Sequence, residues 1–475
     1  MKILRKVLFA VLTVSLLLWI NAVEVPKYDH SNSDWPATTT IKGFYDMEKD
    51  SVDVIFLGSS VAVNAFSPHE LYNGFGIRSY NLATAHQSVF MSYWVLREAL
   101  RYQTPRAVVL DCRFCFRLNP EEPLNMSEGV IRQVIDPMQW SEVKREAVRD
   151  ICAHDASQDV LSYYLTNLRY HERWKSLNAV DFNLDLDDPL LGYSAAKGPS
   201  EEIEVFVPSD PGAKEPMDPL MREYLDRITA LCLENDIRLI LVDVPGNHVN
   251  DGIFNTMVSY AAEHNLGYYN FASKEVVDTF GTIQPYERLT THADWFGMKK
   301  LTRFIGSILQ FNYAIKGVQD PQYEDQTMYQ AVKDNAYVNR AADLQELLET
   351  LQKDHYVILA AVNEDGWCEC TGKEEELWHA LGFAETPFFA SGYSYIGVSG
   401  DAEVLDRQAL VRKGTFGAHH WTVSSKGADS GRSASIIIDG QEYALNKKGL
   451  NLVVFDTETN RVIESCVLTE NELIR

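Results

Sequence analysis

Between residues 51 and 315 short unbroken apolar runs alternate with segments of helical period, and that alternation limits the fold more than any other feature of the chain. Residues 52–57 read Val-Asp-Val-Ile-Phe-Leu, comparable runs recur at 106–110 and 238–244, and 78–82 and 267–271 read as further strands. Runs of this length suit strands buried on both faces, as in a parallel sheet covered by helices on each side. Helical spacing fills the intervals at 68–72, 91–102, 219–235, 253–264 and 296–310. Parallel strands joined by helical crossovers predict an α/β fold, a three-layer α/β/α sandwich.

At 475 residues the chain is too long for one ordinary core, and the pattern changes along it accordingly. Residues 115–215 interrupt the alternation with charged and aromatic helix-like patches, which predicts an insertion able to cap the carboxyl edge of the sheet. Residues 24–50 are polar and loop-like, reading as a stalk, and 316–340 lack a period and read as a linker. From 341 onward an amphipathic helix at 341–352 leads into Tyr356-Val-Ile-Leu-Ala-Ala-Val362. Further strand-like runs follow at 395–398, 434–438 and 452–455, with Asp439-Gly440 as a hairpin turn. This predicts a second, mostly β domain with helices over 341–475.

Lys2, Arg5 and Lys6 precede an apolar run over residues 7–23, broken only by Thr13, Ser15 and Asn21. That is a membrane-inserting segment with its basic flank inside, which places the bulk of the chain outside the cytoplasm. Cleavage after Ala22 would put bulky Ile20 where a small residue is usual, so the reading is an uncleaved single-pass anchor; cleavage would make the protein secreted. The formal net charge of -24 excludes a nucleic-acid partner, which needs a cationic surface. Seven cysteines without repeated spacing describe no disulfide framework. Cys112 and Cys115 have C-x-x-C spacing but no second pair nearby, and read as buried free thiols. A disulfide through Cys466 is open to an extracellular chain.

Two segments carry chemistry. The run at 52–57 ends in Gly58-Ser59-Ser60, which sets a hydroxyl at the carboxyl edge of the sheet, where open α/β sheets bind their ligands. Thr290-Thr291-His292-Ala293-Asp294-Trp295-Phe296-Gly297 places an imidazole at the start of a late helix. A serine is a weak nucleophile until a neighbouring base takes its proton. Asp111, closing its strand, reads as a hydrogen-bonded loop anchor, and His86 as a loop histidine.

With these residues the first domain resembles the SGNH/GDSL hydrolase superfamily over roughly 40–315, particularly its membrane-anchored bacterial branch. The resemblance implies a flavodoxin-like arrangement of the sheet and acyl chemistry, commonly on acetyl esters of carbohydrate. It implies Ser60 as nucleophile and His292 as general base. Oxyanion donors are implied at Ser60, Ala83 and Gln87, the last two within Asn81-Leu82-Ala83-Thr84-Ala85-His86-Gln87, where the family commonly has glycines at the positions of Ala83 and His86. The family places an aspartate three residues before the histidine, where this chain has Leu289. Glu287 or Asp294 is the candidate orienter of the imidazole, with a backbone carbonyl as another, and Asp294 is also placed to cap the following helix.

The C-terminal part is similar to the ILEI/PANDER domain over about 341–475. The motifs are Gly427-Ala-Asp-Ser-Gly431, Ala434-Ser-Ile-Ile-Ile-Asp-Gly-Gln-Glu-Tyr443 and Lys448-Gly-Leu-Asn-Leu-Val-Val-Phe-Asp456. The resemblance implies a compact β-sandwich with helices and a carbohydrate-binding role. Trp367, Trp378 and Trp421 are rings for sugar stacking or for the core. Cys368, Cys370 and His379 lack zinc spacing, and no metal or organic cofactor is implied. The expectation is a membrane-anchored esterase or O-acyltransferase acting on a cell-surface glycan or acylated polymer. The alternative is an inactive hydrolase-fold surface protein that binds glycan or a partner protein.

Overall fold

The computed structural model describes residues 2–196, 202–246, 248–366, 372–389, 391–470 and 472–475. It divides into two compact units, Met1–Gln326 and Thr327–Arg475.

The first unit opens with α1 (Lys2–Glu24), a helix long and apolar enough to cross a membrane or act as a signal segment. Next comes α2 (Ala37–Asp46), inside the stretch expected as a stalk. It is no stalk: Thr38, Thr39, Thr40, Ile41 and Phe44 are buried, and the last two join the main core. Three consecutive threonines hide the helix from a hydrophobicity reading; they are buried, with Thr39 Oγ1 donating to Pro36 O at 2.8 Å and Thr38 Oγ1 accepting from Tyr28 N at 2.9 Å.

Strands and helices then alternate: β1 (Val54–Leu57), α3 (Ser60–Ala65), α4 (Pro68–Phe75), β2 (Ser79–Asn81), α5 (Val89–Ala99) and β3 (Ala107–Asp111). The insertion holds α6 (Glu128–Ile135), α7 (Glu142–His154), α8 (Val160–Tyr164) and α9 (Asn167–Tyr170), followed by two 3-10 turns at His171–Lys175 and Ala179–Phe182. Alternation resumes with α10 (Pro219–Glu234), β4 (Arg238–Asp243), α11 (Asp251–His264), β5 (Gly267–Asn270), α12 (Lys274–Val277) and α13 (Trp295–Ser307). Serine, aspartate or asparagine side chains cap α4, α5, α7, α10, α11 and α13, each satisfying an otherwise orphaned first-turn N–H.

The five strands form one parallel sheet in the order β2-β1-β3-β4-β5. Ile55, Leu57, Val108, Leu110, Leu239 and Leu241 pack one face of it against α5, α7, α10 and α11. On the other face Phe56 stacks on Phe66 at 4.7 Å between centroids, and Phe271 meets Phe304 of α13 edge-on at 5.0 Å. Each such side chain contributes roughly 1.5–3 kcal/mol by leaving water, which is why the alternation governs the fold.

The second unit begins with α14 (Thr327–Arg340), where a linker is expected. Its buried side is Tyr329, Ala331, Asp334, Asn335 and Val338, too polar to show a period. Then come α15 (Leu344–Thr350), β6 (Tyr356–Glu364), α16 (Gly372–Ala380), β7 (Ser394–Val398), β8 (Ala402–Asp406), β9 (Leu410–Phe416), β10 (His419–Gly427), β11 (Ser433–Ile438), β12 (Gln441–Glu442), β13 (Gly449–Asp456), β14 (Arg461–Leu468) and β15 (Leu473–Ile474). They build a mixed sheet in the order β12-β11-β10-β6-β13-β14-β15, with β7 added beside β6, β8 beside β7 and β9 beside β10.

Central β6 divides two cores by the strand period of two: Ile358, Ala360 and Val362 face α14, α15 and Trp378, while Leu359 and Ala361 face Trp421, Val423 and Ile436. Trp378 and Trp421 are therefore core residues and offer no sugar platform. Trp367, Cys368 and Cys370 lie outside the described residues. Cys466 is buried as a free thiol, as are Cys112, Cys115 and Cys232.

Candidate active site

In the strand order observed, the chain turns from β1 to β2 on one side and passes to β3 on the other, so the crevice at the carboxyl ends of β1 and β3 is the topological switch point. Gly58 stands there with φ +141°, and a Cβ on it would lie 2.5 Å from Asp111 Cβ of β3. Only glycine fits that approach. Ser59 is extended and Ser60 begins α3, so the Ser60 N–H has no acceptor within its own helix.

His292 reaches this point from the loop before α13. Thr291, with φ +55°, donates its N–H to Pro245 O at 2.8 Å, and Asp294 donates its own to Arg288 O at 3.1 Å. A Cβ on Gly297 would lie 1.9 Å from Arg288 O, so the loop rests directly on the first turn of α13. Ser60 Oγ and His292 Nε2 are 2.9 Å apart, within reach for proton transfer. Both residues are half-buried.

Asp294 Oδ1 accepts from Gly297 N at 2.7 Å and so caps α13; burial pushes its carboxyl up to about 6. Glu287 pairs with Lys300 Nζ at 3.3 Å and accepts from Gln284 N at 2.8 Å. Both carboxylates expected to orient the imidazole thus have structural duties, and Leu289 is buried.

The expected oxyanion donors divide in the same way. Ala83 donates its N–H to Asn81 Oδ1 at 3.1 Å, and buried Gln87 staples its own loop, accepting from Thr84 Oγ1 at 2.9 Å and donating to Ser92 Oγ at 3.1 Å. Of the three, the Ser60 N–H alone is left open to an incoming oxygen.

Three contributors escape the sequence reading. Trp35, in the supposed stalk, lies with its ring 4.8 Å from the His292 imidazole, tilted by 48°. A ring held on that face limits rotation of the base, and Trp35→Ala is expected to slow acylation of Ser60 by about tenfold to a hundredfold, read as the rate of active-site labelling. An isolated Trp-Pro in a polar stretch is the only signal that pointed there.

The second is Asn81, whose Nδ2 donates to Ala62 O at 2.9 Å and Phe66 O at 2.8 Å, tying the nucleophile helix to β2. The insertion meets it: Asn81 N donates to Leu191 O at 2.9 Å, and Gly192, with φ +88°, passes so close that a Cβ would lie 1.7 Å from Asn81 O. Residues 190–196 therefore do run along the carboxyl edge, where Ala196 N also reaches Ala293 O at 3.4 Å.

The third is the carboxyl end of β4, where Asp243 takes His248 Nε2 at 3.2 Å and the Tyr268 hydroxyl at 2.7 Å. Asp111 beside it accepts from Ser59 Oγ at 3.1 Å, and burial together with the Asp243 charge raises its carboxyl to about 6. An acid group raised from 3.8 to about 6 keeps its proton in the native state while the unfolded chain loses it, so stability falls as pH rises through that window. Asp111→Asn removes the titration, and its stability relative to wild type is expected to rise by about 2 kcal/mol between pH 4 and pH 6.5 in urea unfolding.

No protein-family model matches the chain, and no curated protein matches it.

Proposed function

We propose that the protein is a membrane-anchored, extracytoplasmic serine esterase or O-acyltransferase of the SGNH type, acting on a cell-surface glycan or a related acylated polymer. The observation that carries this reading is the 2.9 Å contact between Ser60 Oγ and His292 Nε2 at the carboxyl edge of a parallel sheet. Helices on both faces of that sheet suit the three-layer, flavodoxin-like form of the fold. In the reaction Ser60 Oγ attacks the acyl carbonyl carbon as its proton passes to His292 Nε2. The Ser60 N–H stabilises the oxyanion, and His292 returns the proton to the departing alcohol as the ester C–O bond breaks. Water or a sugar hydroxyl, deprotonated by His292, then attacks the acyl carbon, and His292 returns that proton to Ser60 Oγ as the acyl C–Oγ bond breaks. The apolar α1 would hold this unit at the membrane, and the ILEI/PANDER-like unit would bind glycan or a partner protein.

Full-length protein in detergent micelles is expected to hydrolyse p-nitrophenyl acetate and to release acetate from acetylated oligosaccharides with saturation kinetics. A folded protein inert to both substrates would support the second reading, a binding platform on a hydrolase fold. That reading is favoured by one observation, the engagement of the Ala83 N–H by Asn81.

A further inference from the structure

The end of α1 is built into the first unit. Lys27 Nζ donates to Val23 O at 3.3 Å and Val25 O at 3.0 Å and also to Ala22 O, closing the helix C-terminus. The insertion grips the same end. Asn167 donates its N–H to Asn21 Oδ1 at 2.9 Å and its side chain to Glu24, Arg173 Nη1 donates to Glu24 O at 2.8 Å, and Trp19 meets Phe182 at 6.3 Å between centroids. Since α1 is otherwise exposed along its apolar length, these contacts fix the level at which the 160–184 segment stands relative to a bilayer that α1 enters.

That segment is unusual for a soluble surface. Trp174 is 66% exposed, and Leu161, Leu165, Leu168 and Phe182 are each about half exposed, within one short run of α8, α9 and the following 3-10 turns. Large apolar groups this concentrated mark an interaction surface. In a chain of net charge -24, residues 160–184 carry three basic side chains (Arg169, Arg173, Lys175) against two acidic ones. Tryptophan, leucine and phenylalanine interleaved with arginine and lysine are the composition of a segment that lies in the headgroup region, rings at the acyl boundary and cations at phosphate level.

We infer that residues 160–184 form a second membrane contact, lying in the outer leaflet interface beside α1 and docking the hydrolase-like unit on the bilayer. The inference rests on the anchored reading of α1. It gives the insertion a role besides lining the sheet edge: the anchor supplies attachment, and the patch restricts how the unit tilts on it.

The test uses the full chain reconstituted in dioleoylphosphatidylcholine vesicles and in vesicles of the same lipid brominated on the acyl chains near the headgroup. Subtracting the emission of Trp174→Phe from that of wild type isolates Trp174, and Trp19→Phe isolates the anchor tryptophan in the same way. The Trp174 difference emission is expected to fall at least about twofold in brominated vesicles, as for a ring at the acyl boundary. Equal Trp174 emission in the two kinds of vesicle overturns the inference. The Trp19 difference reads the anchor separately: Trp19 quenched with Trp174 unquenched defeats the patch alone, and both unquenched defeats the anchored reading with it. Phenylalanine at the exposed position 174 keeps an aromatic ring there, and circular dichroism of each variant checks that it folds.

Discussion

Ser60→Ala is expected to lower ester hydrolysis by on the order of 10⁴ to 10⁶, and His292→Ala by a comparable factor. The two groups act as one device, because the hydroxyl is nucleophilic only while the imidazole takes its proton across their 2.9 Å contact. Removing either stops the same step, so the double variant is expected to be no slower than Ser60→Ala alone. Steady-state kinetics on the three variants check this. Multiplicative effects would mean that the two side chains work independently. Neither change should unfold the protein: both residues are half-buried, and α3 keeps its N-terminal Ser59 and its ties to Asn81.

The second large effect is on stability. Asn81→Ala removes the donors to Ala62 O and Phe66 O and the acceptor of the Ala83 N–H, all in a buried setting. Ala62 O keeps the Phe66 N–H at 3.2 Å, so Phe66 O and the Ala83 N–H are the two groups left unpaired; at about 1–3 kcal/mol each, a loss of roughly 2–6 kcal/mol is expected in chemical unfolding of the first unit. The cost should be accompanied by poorer positioning of Ser60, since α3 loses its ties to β2 at Ala62 and at its C-cap Phe66. Asn81→Asp tests the mechanism from the other side: it keeps an acceptor for the Ala83 N–H but sets a buried carboxylate oxygen against the Ala62 and Phe66 carbonyls, and at neutral pH is expected to destabilise at least as much as Asn81→Ala.

The elements most legible in the amino-acid sequence were those whose burial is apolar on both faces. All five strands of the parallel sheet fall within their expected runs to within a residue or two; in β1, β3 and β4 the reason is apolar burial through Ile55, Leu57, Val108, Leu110, Leu239 and Leu241, while β2 (Ser-Tyr-Asn) and β5 (Gly-Tyr-Tyr-Asn) were placed by their position in the alternation. Elements buried through polar side chains were invisible. α2 buries Thr38, Thr39 and Thr40, and α14 buries Asp334 and Asn335, polar side chains that break the apolar period of a buried face. Asn335, for example, donates to Asp456 at 2.6 Å, 121 residues away.

The candidate site divides along the same line. Ser60 and His292 were readable because each sits at a punctuation mark, the end of an apolar run and the start of a helix. Trp35, Asn81 and the Asp243–His248 pair depend on which loops fold over the sheet edge, and no spacing encodes that. Asp294 was readable as a cap because aspartate before Trp-Phe-Gly matches first-turn geometry, whereas its use as an orienter competed with that same cap.

The most direct measurement is the mass of full-length protein after treatment with a fluorophosphonate, followed by mapping of the modified peptide. The account predicts a single phosphonyl adduct on Ser60, absent in Ser60→Ala and formed far more slowly in His292→Ala. Folded wild-type protein that acquires no adduct, or an adduct on another residue that persists in Ser60→Ala, would contradict it.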